Sequence, residues 1–265
     1  MGPTIGYQGT EGAFSEEAAR AVLGRAWCRG FETFDELVAA VDRKEVTYGL
    51  LPVENTIYGS IARSYDLLSE HRNVRIVDET SSRISQCLIG LEGTDLGGIT
   101  RVSSHPVALD QCRRFLKQLS RAEVVVESDT AAAIAGVIQR GDVSHAAIGS
   151  QAAAERYGGA ILAAGIQDAS ENYTRFFLIE RDGHPRRNRG KACMTLTLPH
   201  TRGSLRDALG VLADAECNLT ALVARPDRRG PFNYIFYVEF VCAGKAQPLD
   251  VLRSLGSSAR LLGMY

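Results

Sequence analysis

An α/β fold is predicted, with a largely parallel sheet covered by helices and a smaller βαββαβ unit behind it. Three features of the sequence predict it. Strand-length apolar runs alternate with helix-period segments as far as Phe176–Glu180. A stretch rich in Gly, Pro, Arg and Asn, Arg181 to Lys191, then marks a linker. Beyond it the pattern changes to β, α, β, β, α, β.

The elements follow in order. Ile5–Tyr7 is a short strand, and Ser15 is placed to cap a helix through Leu23, with Glu16 and Glu17 in its first turn. Phe34–Val41 has helical spacing. Tyr48–Pro52 reads as a buried strand running into a loop. Ile61–Leu68 is helical, and Arg75–Val77 and Cys87–Leu91 are strands. Val102–Ser103 precedes a helix from Val107 to Leu119. Val124–Glu127, Ala146–Ile148 and Phe176–Glu180 are strands, separated by helices over Thr130–Gln139 and Ser150–Tyr157. After the linker come strand Cys193–Leu198, helix Ser204–Ala215, strands Leu219–Ala224 and Asn233–Val241, helix Leu249–Leu255 and strand Arg260–Met264, a ferredoxin-like split unit.

Bulk properties narrow the function classes. The 265 residues are 45% hydrophobic, enough for one large core or a few modest ones. With 30 basic and 31 acidic residues, nothing in the charge calls for nucleic acid or a membrane surface. No apolar run approaches the ~20 residues that span a bilayer. Met1 to Tyr7 lacks a basic segment followed by an apolar one, so a cytoplasmic location is expected. The cations of 181–191 read as a solvated hinge. Cys28, Cys87, Cys112, Cys193, Cys217 and Cys242 form no CxxC pair and no metal spacing, and are expected to be reduced thiols. Neither a metal nor a cofactor is expected. GTEGAFS at Gly9–Ser15 lacks both the GK[ST] ending and GxGxxG spacing, and reads as a Gly-rich turn rather than a nucleotide loop.

Six stretches carry a resemblance: YQGTEGAFSEEAA, LLPVENTIYGSI at Leu50–Ile61, SSHPVALDQC at Ser103–Cys112, ESDTAAA at Glu127–Ala133, AAIGSQAAAERYG at Ala146–Gly158 and NYTRFFLIE at Asn172–Glu180. In this order they resemble the prephenate dehydratase family over residues 3–181, with an ACT-like regulatory unit following. The resemblance implies a two-lobed, periplasmic-binding-protein-like catalytic domain over 1–181. Lobe one is expected at about 3–77 plus 165–181, lobe two at about 78–164, the linker at 182–191 and the ACT domain at 192–265. It also implies decarboxylating dehydration of prephenate to phenylpyruvate without a cofactor.

Prephenate is a dianion that becomes aromatic on losing carbon dioxide and water. An enzyme for it must hold two carboxylates, orient the ring and help hydroxide depart, which calls for hydroxyl, amide and guanidinium donors. By resemblance Thr174 is required, its hydroxyl donating to the leaving oxygen. Arg175 pairs with a substrate carboxylate, and Phe176 joins it in the substrate-binding set. Glu54 and Asn55, at the end of a buried strand, join Thr174 as catalytic residues, Glu54 by orienting neighbours, and Thr56 donates to a carboxylate. Ser104 and His105 precede a helix whose free amides favour an anion. Many relatives carry Gln where this chain has Val107. Thr130 and Ser150 begin two more helices and are taken as substrate-binding. Each of these residues also has an ordinary structural reading, as strand residue, loop cap or N-cap.

The remaining expectations concern assembly and control. A homodimer or homotetramer is expected, since Tyr234–Phe240 is an apolar β segment on a sheet that tends to pair. An amino-acid effector is expected at the ACT unit, contacting Gly203, Ser204 and Leu205 at a helix start and Asn218 and Leu219 before a strand. Relatives have ESRP where this chain has Val223-Ala224-Arg225-Pro226. Three alternatives stay open: arogenate as substrate, a non-aromatising prephenate decarboxylase, and a non-catalytic small-ligand sensor.

Overall fold

The computed structural model describes residues 2–24, 27–186, 190–227, 230–242 and 247–265. In chain order the elements begin with β1 (Thr4–Gln8), α1 (Phe14–Leu23), β2 (Trp27–Phe31), α2 (Phe34–Asp42), β3 (Tyr48–Asn55), β4 (Gly59–Ser60), α3 (Ala62–Glu70), β5 (Val74–Arg83) and β6 (Cys87–Gly90). They continue with β7 (Arg101–Ser104), α4 (Pro106–Gln111), α5 (Arg113–Leu116), β8 (Glu123–Val126), α6 (Thr130–Arg140), β9 (His145–Gly149), α7 (Gln151–Tyr157), β10 (Ala160–Ala164) and β11 (Tyr173–Arg181). The last are β12 (Lys191–Thr197), α8 (Ser204–Asp214), β13 (Cys217–Pro226), β14 (Tyr234–Cys242), α9 (Pro248–Leu255) and β15 (Ala259–Met264).

The chain divides into two compact units. The first comprises residues 1–37, 54–59 and 81–175, the second 38–53, 60–80 and 176–265.

In the first unit a five-stranded sheet has the order β10-β6-β9-β7-β8. β7 is parallel to both β8 and β9, whereas β6 is antiparallel to β9 and β10. The inner strands β6 and β9 are buried along their whole length because helices cover both faces. Ile89 and Ala147 pack with Ile134 and Ala153 of α6 and α7, while their neighbours Leu88 and Ala146 pack with Ala108 and Leu109 of α4. The expected helix 107–119 is broken at Cys112. The Asp168 amide donates to the Gln111 carbonyl (2.6 Å) and its carboxylate accepts from the Arg114 amide (3.0 Å), so a distant residue ends one helix and caps the next. Helix α1 likewise starts at Phe14, one residue before the expected cap at Ser15. The carboxylate of Glu16 instead accepts from the Gly12 amide at 2.6 Å.

In the second unit the strands run β13-β14-β12-β15-β5-β11-β3. The last four elements of strand type, β12 to β15, have the ferredoxin-like arrangement, with α8 and α9 on a core of Met194, Leu196, Leu212, Val238 and Val251. β15 joins β5 in parallel at the pair Gly263 and Ile76. A Cβ on Gly263 would collide with the Ile76 carbonyl oxygen, so only glycine permits this approach. Behind the joint lies a buried polar knot. Glu239, 1% exposed, accepts from the hydroxyls of Tyr65 and Tyr265, both at 3.1 Å, and lies 3.3 Å from Lys191 Nζ. Lys191 also pairs with Glu79 at 2.6 Å.

One expectation about cysteine is corrected. Cys217 and Cys242 face each other across the β13–β14 ladder and form a disulfide. Cys28, Cys87, Cys112 and Cys193 are free thiols. Among the described residues no helix is long and apolar enough to cross a membrane.

Candidate active site

The C-terminal end of β3 and the N-terminal end of β11 carry the central group, in the first unit. Asn55 is buried at 8% exposure. Its Oδ1 accepts from the amides of Ile57 (2.9 Å) and Tyr58 (3.1 Å), which orients Nδ2 toward β11. Nδ2 donates to Asn172 Oδ1 (2.9 Å), to the Tyr173 carbonyl (3.2 Å) and to Thr174 Oγ1 (3.1 Å). Thr174 Oγ1 therefore accepts from a fixed amide, while its own proton has no acceptor among the described residues. A hydroxyl held in this way presents its O–H outward as a donor. Asn172 is 0% exposed, and its Nδ2 is a second donor with no partner.

Glu54 and Arg175 are the next pair along the same two strands. Arg175 Nε and Nη2 both lie 3.0 Å from Glu54 Oε2. Glu54 thus holds the guanidinium of Arg175. Thr56 spends its hydroxyl on the backbone, donating to the Glu171 carbonyl (3.1 Å) and accepting from the Tyr173 amide (3.0 Å). Phe176 is a correction. At 1% exposure it is a core side chain of the second unit, not a surface for substrate.

The helix starts differ among themselves. Ser104 is fully buried and donates to the Ile148 carbonyl at 2.7 Å. His105 is the N-cap of α4, its Nδ1 accepting from the Val107 amide at 3.2 Å. That bond puts the ring proton on Nε2. Burial lowers the His105 pKa, and the nearby Asp129 carboxylate opposes this only in part. Thr130 is the first residue of α6, whose N-cap is Asp129. Asp129 Oδ1 accepts from the Ala132 amide (2.9 Å) and from the Thr10 hydroxyl (2.7 Å). Ser150 caps α7 through the Ala153 amide (2.9 Å) and donates to the Gly12 carbonyl (2.6 Å), so both functions of its hydroxyl are used. No hydrogen bond among the described residues joins Ser104, His105, Thr130 or Ser150 to Asn55 or Thr174.

Sequence reasoning missed several members. Asn172 lies inside the NYTRF stretch but was given no role. Tyr58 donates to the Asp110 carboxylate, joining the PVENT segment to α4, and this contact raises its phenol pKa after burial has done so. Glu17 has a buried, unpartnered Oε1 and a pKa raised by burial, against the opposing pull of Ser150 and the Ala152 amide. Neither residue type has a spacing that signals such a position.

The neutral state of His105 has a measurable consequence. Its folded pKa lies below the unfolded value of about 6.5, so below that pH the unfolded chain binds more protons and stability falls. The contribution is complete above pH 6.5 and is lost as pH drops through and beyond it. An NMR titration is expected to place the His105 midpoint under 6.5. A midpoint above 7 would contradict the burial argument.

The comparisons with known proteins bear on this geometry. A family model described as prephenate dehydratase matches residues 5–184. The chain is 36% identical over 276 residues to arogenate dehydratase/prephenate dehydratase 2, chloroplastic, of Arabidopsis thaliana, covering 98% of this chain and 72% of that one. A solved structure of prephenate dehydratase in complex with L-Phe from Arthrobacter aurescens superposes with a TM-score of 0.89 at 27% identity, covering 99% of this chain and 89% of the other. Another, described as a novel type of quorum quenching acylase, has a TM-score of 0.88 at 31% identity, covering 99% and 97%.

Proposed function

We propose that this chain, which belongs to the prephenate dehydratase family, is a lyase that converts prephenate to phenylpyruvate in phenylalanine biosynthesis. The observation that carries the reading is the Asn55–Thr174 pair, which leaves a hydroxyl proton without an acceptor among the described residues. In the reaction the bond from the ring to its carboxylate breaks and carbon dioxide leaves. The electron pair moves through the ring as the carbon–oxygen bond breaks, and the departing hydroxide takes up a proton from solvent to leave as water. Thr174 donates a hydrogen bond to that oxygen as negative charge grows on it. Asn55, donating to Thr174 Oγ1, fixes the hydroxyl and strengthens it as a donor. Arg175, steadied by Glu54, supplies charge for a carboxylate, and the unpartnered Asn172 amide is a further donor. Thr56 and Ser150 hold the surrounding loops, while His105 and Thr130 stand at the starts of α4 and α6 as further substrate-binding residues.

Arogenate, which carries an ammonium where prephenate carries a keto oxygen, is the second reading, because curated relatives bear both names. Following absorbance with each substrate tests both. Formation of phenylpyruvate supports the first, phenylalanine from arogenate the second, and no aromatic product from either would defeat both. Glu54→Gln is expected to raise KM several-fold with a smaller change in kcat, since it loosens Arg175 rather than Thr174. An unchanged KM would remove Arg175 from substrate binding.

The reading extends to organisation and control. The catalytic domain is residues 1–181, with lobe one at about 3–77 plus 165–181 and lobe two at about 78–164, the linker is 182–191, and 192–265 is an ACT domain. The enzyme is cytoplasmic and a homodimer or homotetramer, and a monomer mass by light scattering would count against the assembly. An amino-acid effector binds at the start of α8. Ser204 and Leu205 there line a cavity of about 340 Å3 with His200, Arg202, Tyr234 and Phe236, and Gly203 supplies the left-handed N-cap (φ 91°). Asn218 and Leu219 are exposed on β13. The ESRP pair is replaced by Val223 and by Ala224, which is exposed, so an ammonium finds fewer acceptors. Phenylalanine is therefore expected to inhibit weakly, roughly 10- to 150-fold below a site with the polar pair. Micromolar binding by calorimetry with strong inhibition would reverse this.

A further inference from the structure

We propose that the second unit holds a separate binding site for a small oxyanion, a carboxylate or phosphate group, in a cavity of about 480 Å3 between α3 and the ferredoxin-like strands. Arg72, Arg225, Arg260 and the hydroxyl-bearing Ser69, Ser257 and Ser258 are among its walls. The site shares no residue with the Asn55–Thr174 group and does not depend on the effector reading of α8.

The case rests on cations without counter-charges. Arg260 spends Nη2 on the last turn of α3, donating to the carbonyls of Leu68 (3.4 Å) and Ser69 (3.1 Å). Its Nη1 is buried with no partner. A buried donor on a charged group is rarely left unmatched in a protein without a ligand or ion to meet it. Two more guanidiniums stand close. Arg75 donates only to the Leu261 carbonyl at 3.4 Å, and Arg72 is exposed. None of the three makes an ion pair with a described carboxylate. Burial first, and then Arg75 and Arg72, hold the Arg260 pKa below its ordinary value, so the cluster is a repulsive one that an anion would relieve.

The acidic side chains of the walls are already engaged. Asp66 takes Arg225 through two bonds of 3.0 and 2.8 Å, and Glu70 takes Arg63 at 2.9 and 3.2 Å. Asp227 is buried with partners of its own. The donors among the walls are guanidiniums and hydroxyls, the set that suits carboxylate and phosphate oxygens.

Calorimetry on the full chain, in chloride buffer at matched ionic strength, tests this with inorganic phosphate in one arm and malonate in the other. Saturable binding of either is expected, and the arm that binds identifies the group. Arg72→Glu is expected to weaken it at least about tenfold while leaving the melting temperature without anion and the turnover of prephenate unchanged, because Arg72 is exposed and unpaired. Ser258→Ala is expected to weaken it less. Binding in neither arm overturns the proposal, and so does binding undiminished in Arg72→Glu, which would place the anion elsewhere.

Discussion

Thr174→Ala is expected to lower kcat by about two orders of magnitude, with a smaller change in KM. The hydroxyl matters most when charge develops on the departing oxygen, and one such hydrogen bond in a preorganised site is worth on the order of 3 kcal/mol. Thr174→Ser keeps the O–H and is expected to retain a measurable part of the rate, reduced because serine lacks the methyl that restricts the rotamer. Asn55→Ala leaves Thr174 in place but releases its lone pair, and is expected to fall between the two. Steady-state kinetics on normally folded variants decide the matter. An alanine variant within threefold of the parent would mean that Thr174 does not touch the reacting atoms.

Glu239→Ala is expected to destabilise the fold by about 3 kcal/mol. Removing one member of a buried ionic cluster costs the solvation of what remains. Here the change takes a buried acceptor from the hydroxyls of Tyr65 and Tyr265 and takes from Lys191 one of its two carboxylates. Glu239→Gln, which keeps acceptor oxygen and shape, is expected to lose less. Urea unfolding of the three proteins measures both, and a loss below about 1 kcal/mol for alanine, the size of an ordinary substitution, would show that the knot is not a source of stability.

Element types and their order were legible because apolar periodicity is local information, and α6 or β9 announce themselves within a dozen residues. The misses have physical causes. β2, WCRGF, and β10, AILAA, lack the alternation or β-branched content of a clear strand, and are strands because neighbours pair with them. The break between α4 and α5 is imposed by Asp168, 54 residues after Arg114. The disulfide depends on the register that sets Cys217 opposite Cys242. The site was least legible of all. Asn55 and Thr174 are 119 residues apart, and nothing in their spacing joins them; the family resemblance drew attention to both. Phe176 misled because four successive residues of β11, Phe176 to Ile179, are buried, so no alternation separated a core phenylalanine from one facing a ligand.

The narrow joint at Gly263 has a mechanical meaning. Because β15 lies beside β5, the strands of the ferredoxin-like part continue into β5, β11 and β3 within one sheet, and the bridge at Gly263 and Ile76 is the pair that joins them. A single glycine is thus the coupling between the ferredoxin-like strands and β5, and a side chain there would part the two sets of strands.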